Sequence, residues 1–217
     1  MPFTRIEVAV MSITDRGLCV LLGRRVGAPY AGRWALPGGV VRIDLDHSLE
    51  GAADRVIEER LETRLPVKRQ LCAVGGPVRD PRAWSLSVVY WALLPYQSLK
   101  PTAGRRIEAL RWTRVEDAMI DSTLAFDHAE IIQRAVVAIR REVDELELPF
   151  DFLPHKFTLG ELQETCEGLL GRKLDKSSFR RRLAERELVQ PVDGEMRTGA
   201  FRPAQIYRRN TRYALSD

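Results

Sequence analysis

The fold of this chain is decided by two neighbouring stretches, Gly32-Arg33-Trp34-Ala35-Leu36-Pro37-Gly38-Gly39 and Ala52-Ala53-Asp54-Arg55-Val56-Ile57-Glu58-Glu59-Arg60. The first predicts a short strand that ends where two glycines can take backbone angles closed to other residues, so that the chain turns sharply. The second belongs to an amphipathic helix from Ser48 to Leu61, because apolar residues recur there at helical spacing and charged residues occupy the other side. The sequence thus predicts a strand, a glycine loop and a charged helix face in succession.

Further strands and one long helix surround these stretches. Residues Arg5 to Arg25 predict two strands joined by the turn Asp15-Arg16-Gly17. Additional strands are predicted at Leu71 to Val74, at Ser85 to Leu94 and around Leu110-Arg111-Trp112. A helix over about Asp127 to Leu146 has a stripe of apolar residues that we expect to be buried: Ile131, Ile132, Ala135, Val136, Ile139 and Val143. The first domain is therefore expected to be α/β.

A domain boundary is predicted where Pro149 and Pro154 stop the long helix, which divides the chain into domains 1–148 and 149–217. Thr158-Leu159-Gly160-Glu161 matches a capping box that begins a helix from Leu159 to about Leu170, ended by Gly171. Asp175 caps a second helix, Lys176 to Glu187. A strand from Leu188 to Val192, a turn at Asp193-Gly194, a loose segment and a strand from Gln205 to Arg208 follow. This order is that of a winged helix-turn-helix.

Composition and charge narrow the function classes. The net charge is +4, and residues 151–217 carry 13 basic against 10 acidic residues, whereas residues 1–150 carry 21 against 20. A basic cluster confined to one small domain suits a polyanionic partner such as DNA, although a solvated face would look the same. No apolar run approaches the roughly 20 residues of a membrane span. Three widely spaced cysteines, Cys19, Cys72 and Cys166, indicate free thiols. We expect a cytoplasmic protein without a membrane role.

The strand, loop and helix around Gly39 resemble the signature of the Nudix family. That family cleaves diphosphates linked to another group, and its motif ends in Arg-Glu-apolar-x-Glu-Glu-x-Gly. Glutamates at helix positions i, i+3 and i+4 lie on one face, where their oxygens can hold Mg²⁺ against a diphosphate. The resemblance implies an α/β/α sandwich with a mixed sheet.

The motif is degenerate in this chain. Arg55 and Glu59 match it, whereas Val56 and Arg60 replace two metal carboxylates. Two further positions differ from the pattern: His47 replaces the upstream glutamate, and Glu62 the final glycine. One metal ligand of three remains, and the charge of Arg60 opposes cation binding. We therefore expect hydrolysis to be lost or vestigial, with no catalytic residue, metal or other cofactor. For Arg55 and Glu59 we favour the simpler interpretation, an exposed i,i+4 ion pair.

Four further segments resemble those of Nudix-related transcriptional regulators of NAD metabolism, the NrtR-like family. They are Arg79-Asp80-Pro81-Arg82-Ala83-Trp84, Leu124 to Ile131, Asp175 to Arg181, and the Gly-x-x-Arg-Pro-Ala-x-x-Tyr pattern from Gly199 to Tyr207. The resemblance spans nearly the whole chain. It implies a Nudix domain that senses ADP-ribose or a related nucleotide, and a C-terminal winged helix that binds operator DNA as a homodimer.

Site residues follow from this resemblance and from side-chain chemistry. We expect Arg42, Arg79 and Arg82 to bind phosphate, Asp80 to lie in the same effector site, and Trp34 or Trp84 to stack on the base. Asp127 and His128 are expected at the mouth of the cleft or at the dimer contact. The alternatives are that the tryptophans are core or interface residues and that His128 is simply hydrogen-bonded.

For DNA, we expect contacts to base edges from Ser177, Arg180 and Arg181. Contacts to phosphates are expected from Lys173, Lys176, Arg197 and Arg202. A solvated helix face is the alternative for these residues.

The function expected from the sequence is that of a repressor of NAD biosynthesis or salvage genes. In this hypothesis, ADP-ribose or a related nucleotide binds the Nudix domain and changes the spacing of two winged domains on a palindromic operator of double-stranded DNA. One alternative is an active hydrolase of ADP-ribose or another nucleoside diphosphate derivative that uses Glu50, Glu58, Glu59 and Glu62. Another is a Nudix-fused regulator that responds to a sugar.

Overall fold

The computed structural model describes residues 3–198 and 203–210, and the chain divides into two compact units, residues 1–138 and 139–217. The predicted boundary after Leu148 stays a prediction. Within the described ranges, no helix combines the length and the apolar character that crossing a membrane requires.

The first unit is built on a mixed seven-stranded sheet. Its strands are β1 Phe3–Thr14, β2 Gly17–Arg25, β3 Trp34–Ala35, β4 Gly38–Val40, β5 Arg69–Gly76, β6 Ser85–Leu93 and β7 Ile107–Arg114. The order along the sheet is β3-β2-β1-β6-β5, with β4 paired to β1 and β7 paired to β2. The β1–β6 pair is parallel and all the other pairs are antiparallel. The predicted strands and the predicted mixed sheet are confirmed.

Helix α1, Leu49–Leu61, packs on this sheet. Ser48 caps its N-terminus by accepting a hydrogen bond from the backbone N–H of Gly51. Alternating residues of β1, such as Ile6 and Val8, share a buried core with Val56 and Ile57 of the helix. The helix ends at Glu62, whose φ of 48° is left-handed, which explains why the Nudix motif has a glycine at this point.

The predicted role of the glycine loop is wrong in one respect. Gly38 and Gly39 are not among the residues with positive φ, and they form strand β4, paired with Glu7 and Ile6 of β1. Their small size serves close packing instead, because a Cβ on Gly39 would stand 2.9 Å from a methyl of Val56. Gly39 therefore lets β4 lie directly against α1, whereas Gly38 lies against Glu7 and Ile6 of β1.

Two more helices complete the first half of the fold. Helix α2, Val115–Ile120, is too short to give a clear period and was not predicted, whereas α3, His128–Asp144, was. The apolar stripe predicted for α3 is buried at all six of its positions: Ile131, Ile132, Ala135, Val136, Ile139 and Val143. Helix α3 extends past the point at which the chain divides.

The second unit contains two further helices and a three-stranded sheet. They are β8 Phe157–Thr158, α4 Leu159–Leu170, α5 Lys176–Glu185, β9 Val189–Arg197 and β10 Ala204–Arg209. The sheet order is β8-β10-β9, and Thr158 and Glu161 form the predicted capping box. Gly171 ends α4 with a φ of 69°, and Asp175 caps α5. The predicted winged helix-turn-helix is confirmed.

One turn prediction in this unit is wrong. Asp193 and Gly194 lie inside β9, where the pairing with β10 shifts register, rather than at the end of the strand. Gly194 has a φ of 71°, so the turn-forming glycine makes an irregularity in a continuous strand. The strand continues to Arg197.

The turn between α4 and α5 is held by Glu167. Its carboxylate accepts hydrogen bonds from Leu174 N at 3.0 Å, Gln163 Nε2 at 2.9 Å and Lys173 Nζ at 2.7 Å. These donors stabilise the charged form and lower the pKa of Glu167 to about 2. The carboxylate therefore ties the end of α4 to the segment that leads into α5.

Glu167→Gln is expected to lower the free energy of unfolding at pH 7 by about 1 to 2 kcal/mol, because charge-assisted bonds are lost. Stability from a depressed pKa is present above the unfolded value of 4.5 and is lost as pH falls towards 2. The deficit of the variant should therefore shrink across that range in urea unfolding followed by circular dichroism. Glu164→Gln, on the exposed side of α4, is the matched control. A constant difference between pH 7 and pH 2 would contradict this role.

Candidate functional site

A cavity of about 530 Å³ opens beside the two glycines of β4. Its described lining contains no carboxylate and five arginines: Arg5, Arg25, Arg60, Arg82 and Arg106. Strands β1 and β2, helix α1, the loop between β5 and β6 and the loop before β7 bring these residues together from distant parts of the sequence. A cavity of this composition is suited to an anion.

Carboxylates near the cavity neutralise only part of this charge. Glu7 accepts from Arg5 Nε at 3.0 Å, and Glu59 accepts from Arg60 Nη1 at 3.3 Å. Asp80 accepts two side-chain bonds from Arg82, at 2.9 and 2.6 Å. Among the described residues, Arg25 and Arg106 have no carboxylate within ion-pair distance. Two positive charges therefore remain, which match the charge of a diphosphate diester.

Phe126 holds two of these guanidinium groups in place. The guanidinium carbon of Arg5 lies 5.4 Å from the centre of its ring, and that of Arg25 lies 5.0 Å from it. Phe126 itself has a φ of 56°, a left-handed conformation that is unfavourable for a bulky residue. Burial lowers the pKa of Arg25, and the charge of Arg5 acts in the same direction. The two cations are thus positioned before any ligand arrives.

The charged face of α1 shows how the motif has changed. Arg55 makes the expected i,i+4 pair with Glu59, at 3.2 Å. Its stronger partner is Asp46, whose two oxygens accept at 2.6 and 2.7 Å. The expected pair with Glu59 is therefore present, but it is not exposed, because the Arg55 side chain is only 17% exposed. Asp46 was missed because it lies in a loop, where no periodicity points to it.

Arg60 is also fixed in place. Its Nε donates to the carbonyl oxygen of Gly38 at 3.0 Å, and Nη1 donates to that of Arg105 at 3.1 Å. Val56 is fully buried in the core. Of the three motif positions 56, 59 and 60, only Glu59 is therefore a carboxylate. Its two oxygens accept hydrogen bonds from the guanidinium groups of Arg55 and Arg60. This donor set does not fit Mg²⁺, which needs several oxygen ligands free of competing cations.

His128 does not line the cavity but is hydrogen-bonded to Leu36, which does. Its Nδ1 accepts from the backbone N–H of Leu36 at 2.9 Å, and its Nε2 is 3.7 Å from Oε2 of Glu7. Burial lowers the pKa of His128 to about 4, so the ring is neutral at pH 7. The structure thus shows a hydrogen-bonded core histidine, which was the alternative to the expected place at the mouth of the cleft.

Of the other predicted effector residues, Arg82 lines the cavity and Asp80 orients it. Arg79 is bound to Asp127 in a bidentate pair, at 2.5 and 2.8 Å, and both line a separate depression of about 380 Å³. Arg42 lines a cleft of about 360 Å³ that also contains Arg60 and Arg106.

The two tryptophans have different environments. The guanidinium of Arg111 lies 4.2 Å from the centre of the Trp34 ring. Trp84 is 47% exposed and packs against Gly75. Neither ring belongs to the described lining of the 530 Å³ cavity.

Three cavity arginines, Arg5, Arg25 and Arg106, were missed by sequence reasoning. Two signals were present in the sequence. Arg5 and Glu7 are charged residues at alternate positions of an otherwise apolar strand, which is unusual for a central strand. Arg105 and Arg106 form a basic pair directly before β7. In the fold, Arg106 has a φ of 65°, a conformation that few residues adopt.

The predicted DNA-contacting residues fall into two groups. Lys176, Ser177 and Arg180 on α5 are exposed, and Arg181 is exposed with only a 3.7 Å contact to Glu185. By contrast, two of the expected phosphate contacts are engaged within the chain, Lys173 with Glu167 and Arg197 with Glu161. Arg202 and the start of the Gly199 to Tyr207 pattern lie outside the described residues. The exposed side of α5 is thus the strongest candidate surface for DNA.

Comparison with known proteins identifies the family. The model for the NUDIX domain matches residues 3–135, and that for the NrtR DNA-binding winged helix domain matches residues 149–209. The ADPR responsive transcriptional repressor NtrR of Acinetobacter baylyi is 35% identical over 216 residues, which cover 100% of this chain and 84% of that protein. The chain belongs to the NrtR family.

Solved NrtR structures from Shewanella oneidensis are similar to this chain. The complex with a 27mer DNA has a TM-score of 0.77 and 34% identity, and the match covers 95% of this chain and 93% of that one. The NrtR NUDIX domain complexed with ADP ribose has a TM-score of 0.58 and 33% identity, over 64% of this chain and 88% of that one. The predicted fold class is confirmed, and this NrtR family member is a ligand-responsive, DNA-binding transcriptional regulator.

Proposed function

We propose that this chain is a transcriptional repressor that responds to ADP-ribose and binds it without cleaving it. The observation that carries the proposal is the cavity of five arginines, in which three are paired with carboxylates and two are not. A diphosphate diester supplies the two missing negative charges. The name of the Acinetobacter relative and the ligand of the Shewanella NUDIX domain support ADP-ribose as the molecule that carries this diphosphate.

In this proposal Arg25 and Arg106 bind the diphosphate, with Arg5 and Arg82 beside them. Guanidinium groups suit this ligand because their fork of donors matches phosphate oxygens. Trp84 has an exposed ring that could stack on the adenine, whereas Trp34 is already covered by Arg111. Arg42 extends the basic surface towards the neighbouring cleft.

The proposal includes the loss of hydrolase activity. Val56 and Arg60 occupy two metal-ligand positions, and the remaining Glu59 is engaged by two guanidinium groups. The alternative, a working hydrolase, requires carboxylates free to bind a metal. Glu50 accepts a hydrogen bond from Tyr90, and Glu58 lies within 3.4 Å of Arg64. Among the described residues, no group of three or more potential metal ligands is present.

The DNA side of the proposal assigns base contacts to Ser177, Arg180 and Arg181 and a phosphate contact to Lys176. We propose that a homodimer places two such helices on a palindromic operator of NAD biosynthesis or salvage genes. The protein then acts in the cytoplasm, where the chromosome is. ADP-ribose must bind one arrangement of the dimer better than the other to change its affinity for DNA.

Titration calorimetry with ADP-ribose tests the effector site. Arg25→Gln and Arg106→Gln are each expected to lower affinity by roughly tenfold to a hundredfold, because one charge-assisted bond to phosphate is lost. Arg24→Gln is the matched control, since Arg24 neighbours Arg25 on β2 but is not part of the described cavity lining. AMP, which lacks the diphosphate, should bind much more weakly. Unchanged affinity in both variants would refute the assignment.

Two further assays separate a sensor from an enzyme. Chromatography of ADP-ribose incubated with the protein and Mg²⁺ should show no release of AMP over many equivalents. A gel shift with the DNA upstream of the chain's own gene should show a complex whose amount changes when ADP-ribose is added. Efficient turnover, or a complex that is indifferent to ADP-ribose, would contradict the proposal.

A further inference from the structure

Arg60 stands at a position on α1 where the Nudix motif has a metal-binding glutamate. Its guanidinium is tethered there by the carbonyl oxygens of Gly38 and Arg105 and by Glu59. The side chain is 10% exposed. The charge therefore cannot turn out into solvent without breaking these bonds. It is a fixed part of the wall formed by β4, α1 and the loop before β7.

Arg60 also lines both basic cavities of this unit. The 530 Å³ cavity and the 360 Å³ cleft share Val40, Arg60 and Arg106. A ligand that extends from one to the other therefore passes beside the guanidinium of Arg60. This places a permanent cation beside the glycine loop, on the side of the helix that carries the motif.

Arg60 shares its paired carboxylate with a second arginine. Glu59 is shared, because its Oε1 accepts from Arg55 and its Oε2 from Arg60. Burial lowers the pKa of Arg60, Glu59 opposes this effect, and the nearby Arg106 and Arg105 add to it. An arginine nevertheless stays protonated in proteins. A partly buried cation whose carboxylate also binds Arg55 is further stabilised by a bound anion.

We infer that the guanidinium of Arg60 takes the role that a divalent cation has in the Nudix motif, so that the effector's diphosphate is bound by arginines alone, without metal. This inference rests on the proposed function. A guanidinium supplies positive charge and directed donors to phosphate oxygens. Unlike a metal ion, it does not lower the pKa of a bound water to make a nucleophile. Arg60 therefore helps to retain the ligand without providing a nucleophile for its cleavage.

Calorimetry of the full-length chain with ADP-ribose, in EDTA and in MgCl₂, tests this directly. The wild type is expected to bind with the same affinity in both buffers, within about twofold. Arg60→Gln should weaken binding by roughly tenfold to a hundredfold in both, because a charge-assisted bond is lost. Arg60→Lys, which keeps the charge, should lose less. Arg64→Gln is the matched control, since Arg64 is 85% exposed near the end of the same helix.

Arg60→Glu adds a test in which the charge at position 60 is reversed. A carboxylate at position 60 beside Glu59 should repel the diphosphate in EDTA, and Mg²⁺ should restore part of the affinity by bridging the two. Thermal unfolding of each variant shows whether it is folded. The comparison of wild-type affinity in EDTA and in MgCl₂ does not depend on any variant.

The outcomes separate the two proposals. Wild-type binding that requires Mg²⁺, or an unchanged affinity in Arg60→Gln, overturns the inference and leaves the proposed function standing. Failure of the wild type to bind ADP-ribose in either buffer overturns both.

Discussion

Gly38→Ala is expected to abolish effector binding and to lower the free energy of unfolding by about 1 to 3 kcal/mol, the usual range for overpacking a core. A Cβ at position 38 would stand 1.8 Å from Oε2 of Glu7 and 3.0 Å from the carbonyl oxygen of Ile6. Glu7 is 1% exposed, so its carboxylate cannot simply turn into solvent. Either β1 or β4 must shift.

Both ways of relieving this clash disturb the cavity. Movement of Glu7 breaks the 3.0 Å ion pair that holds Arg5. Movement of β4 displaces the carbonyl oxygen of Gly38, to which Arg60 donates. Two cavity arginines then lose their positions, and a loss of two charge-assisted bonds corresponds to more than about a hundredfold in affinity.

Gly27→Ala is the control for this experiment, because Gly27 lines the same cavity and a Cβ there would meet nothing within 4 Å. That variant should bind ADP-ribose like the wild type. Calorimetry measures the affinity, and thermal unfolding measures the stability of each protein. Wild-type affinity in Gly38→Ala would show that the contact between Gly38 and Glu7 does not control the cavity.

Local sequence signals predicted most of the fold. The periods of α1 and α3, the capping box at Thr158 and the glycine after α4 each depend on residues within a few positions of one another. Such features are set by backbone propensity and by the side chains of one helix face, so a single sequence contains them. The same holds for the degenerate motif, in which Val56 and Arg60 are read directly from the sequence.

The effector cavity was less predictable because its residues converge from distant elements. Arg5 comes from β1, Arg25 from β2 and Arg106 from the loop before β7, and no spacing along the chain links them. The partners of Arg79 and Asp127 were equally hard to predict. Both stood in family-like segments, yet in the fold they satisfy each other's charge. The sequence shows which side chains are charged and could bind a ligand. The tertiary fold determines which other side chain each of them pairs with.

The second large effect is expected on DNA binding by the winged helix domain. Arg180→Ala and Arg181→Ala are each expected to weaken operator binding by about 1 to 3 kcal/mol, and the double variant by more than about a hundredfold. Both side chains are exposed on α5, while Phe179 and Leu183 anchor the opposite side of that helix in the core. Truncating the two arginines therefore removes donors without opening a cavity.

Fluorescence anisotropy with the duplex upstream of the chain's own gene measures this effect, and an unrelated duplex separates base contacts from phosphate contacts. Loss at a base contact should be larger on the operator, whereas loss at a phosphate contact should be equal on both and should reduce the salt dependence. Arg141→Ala, which removes an exposed arginine of α3, controls for net charge. If a folded double variant kept its operator affinity within about twofold, α5 would not be the helix that reads DNA.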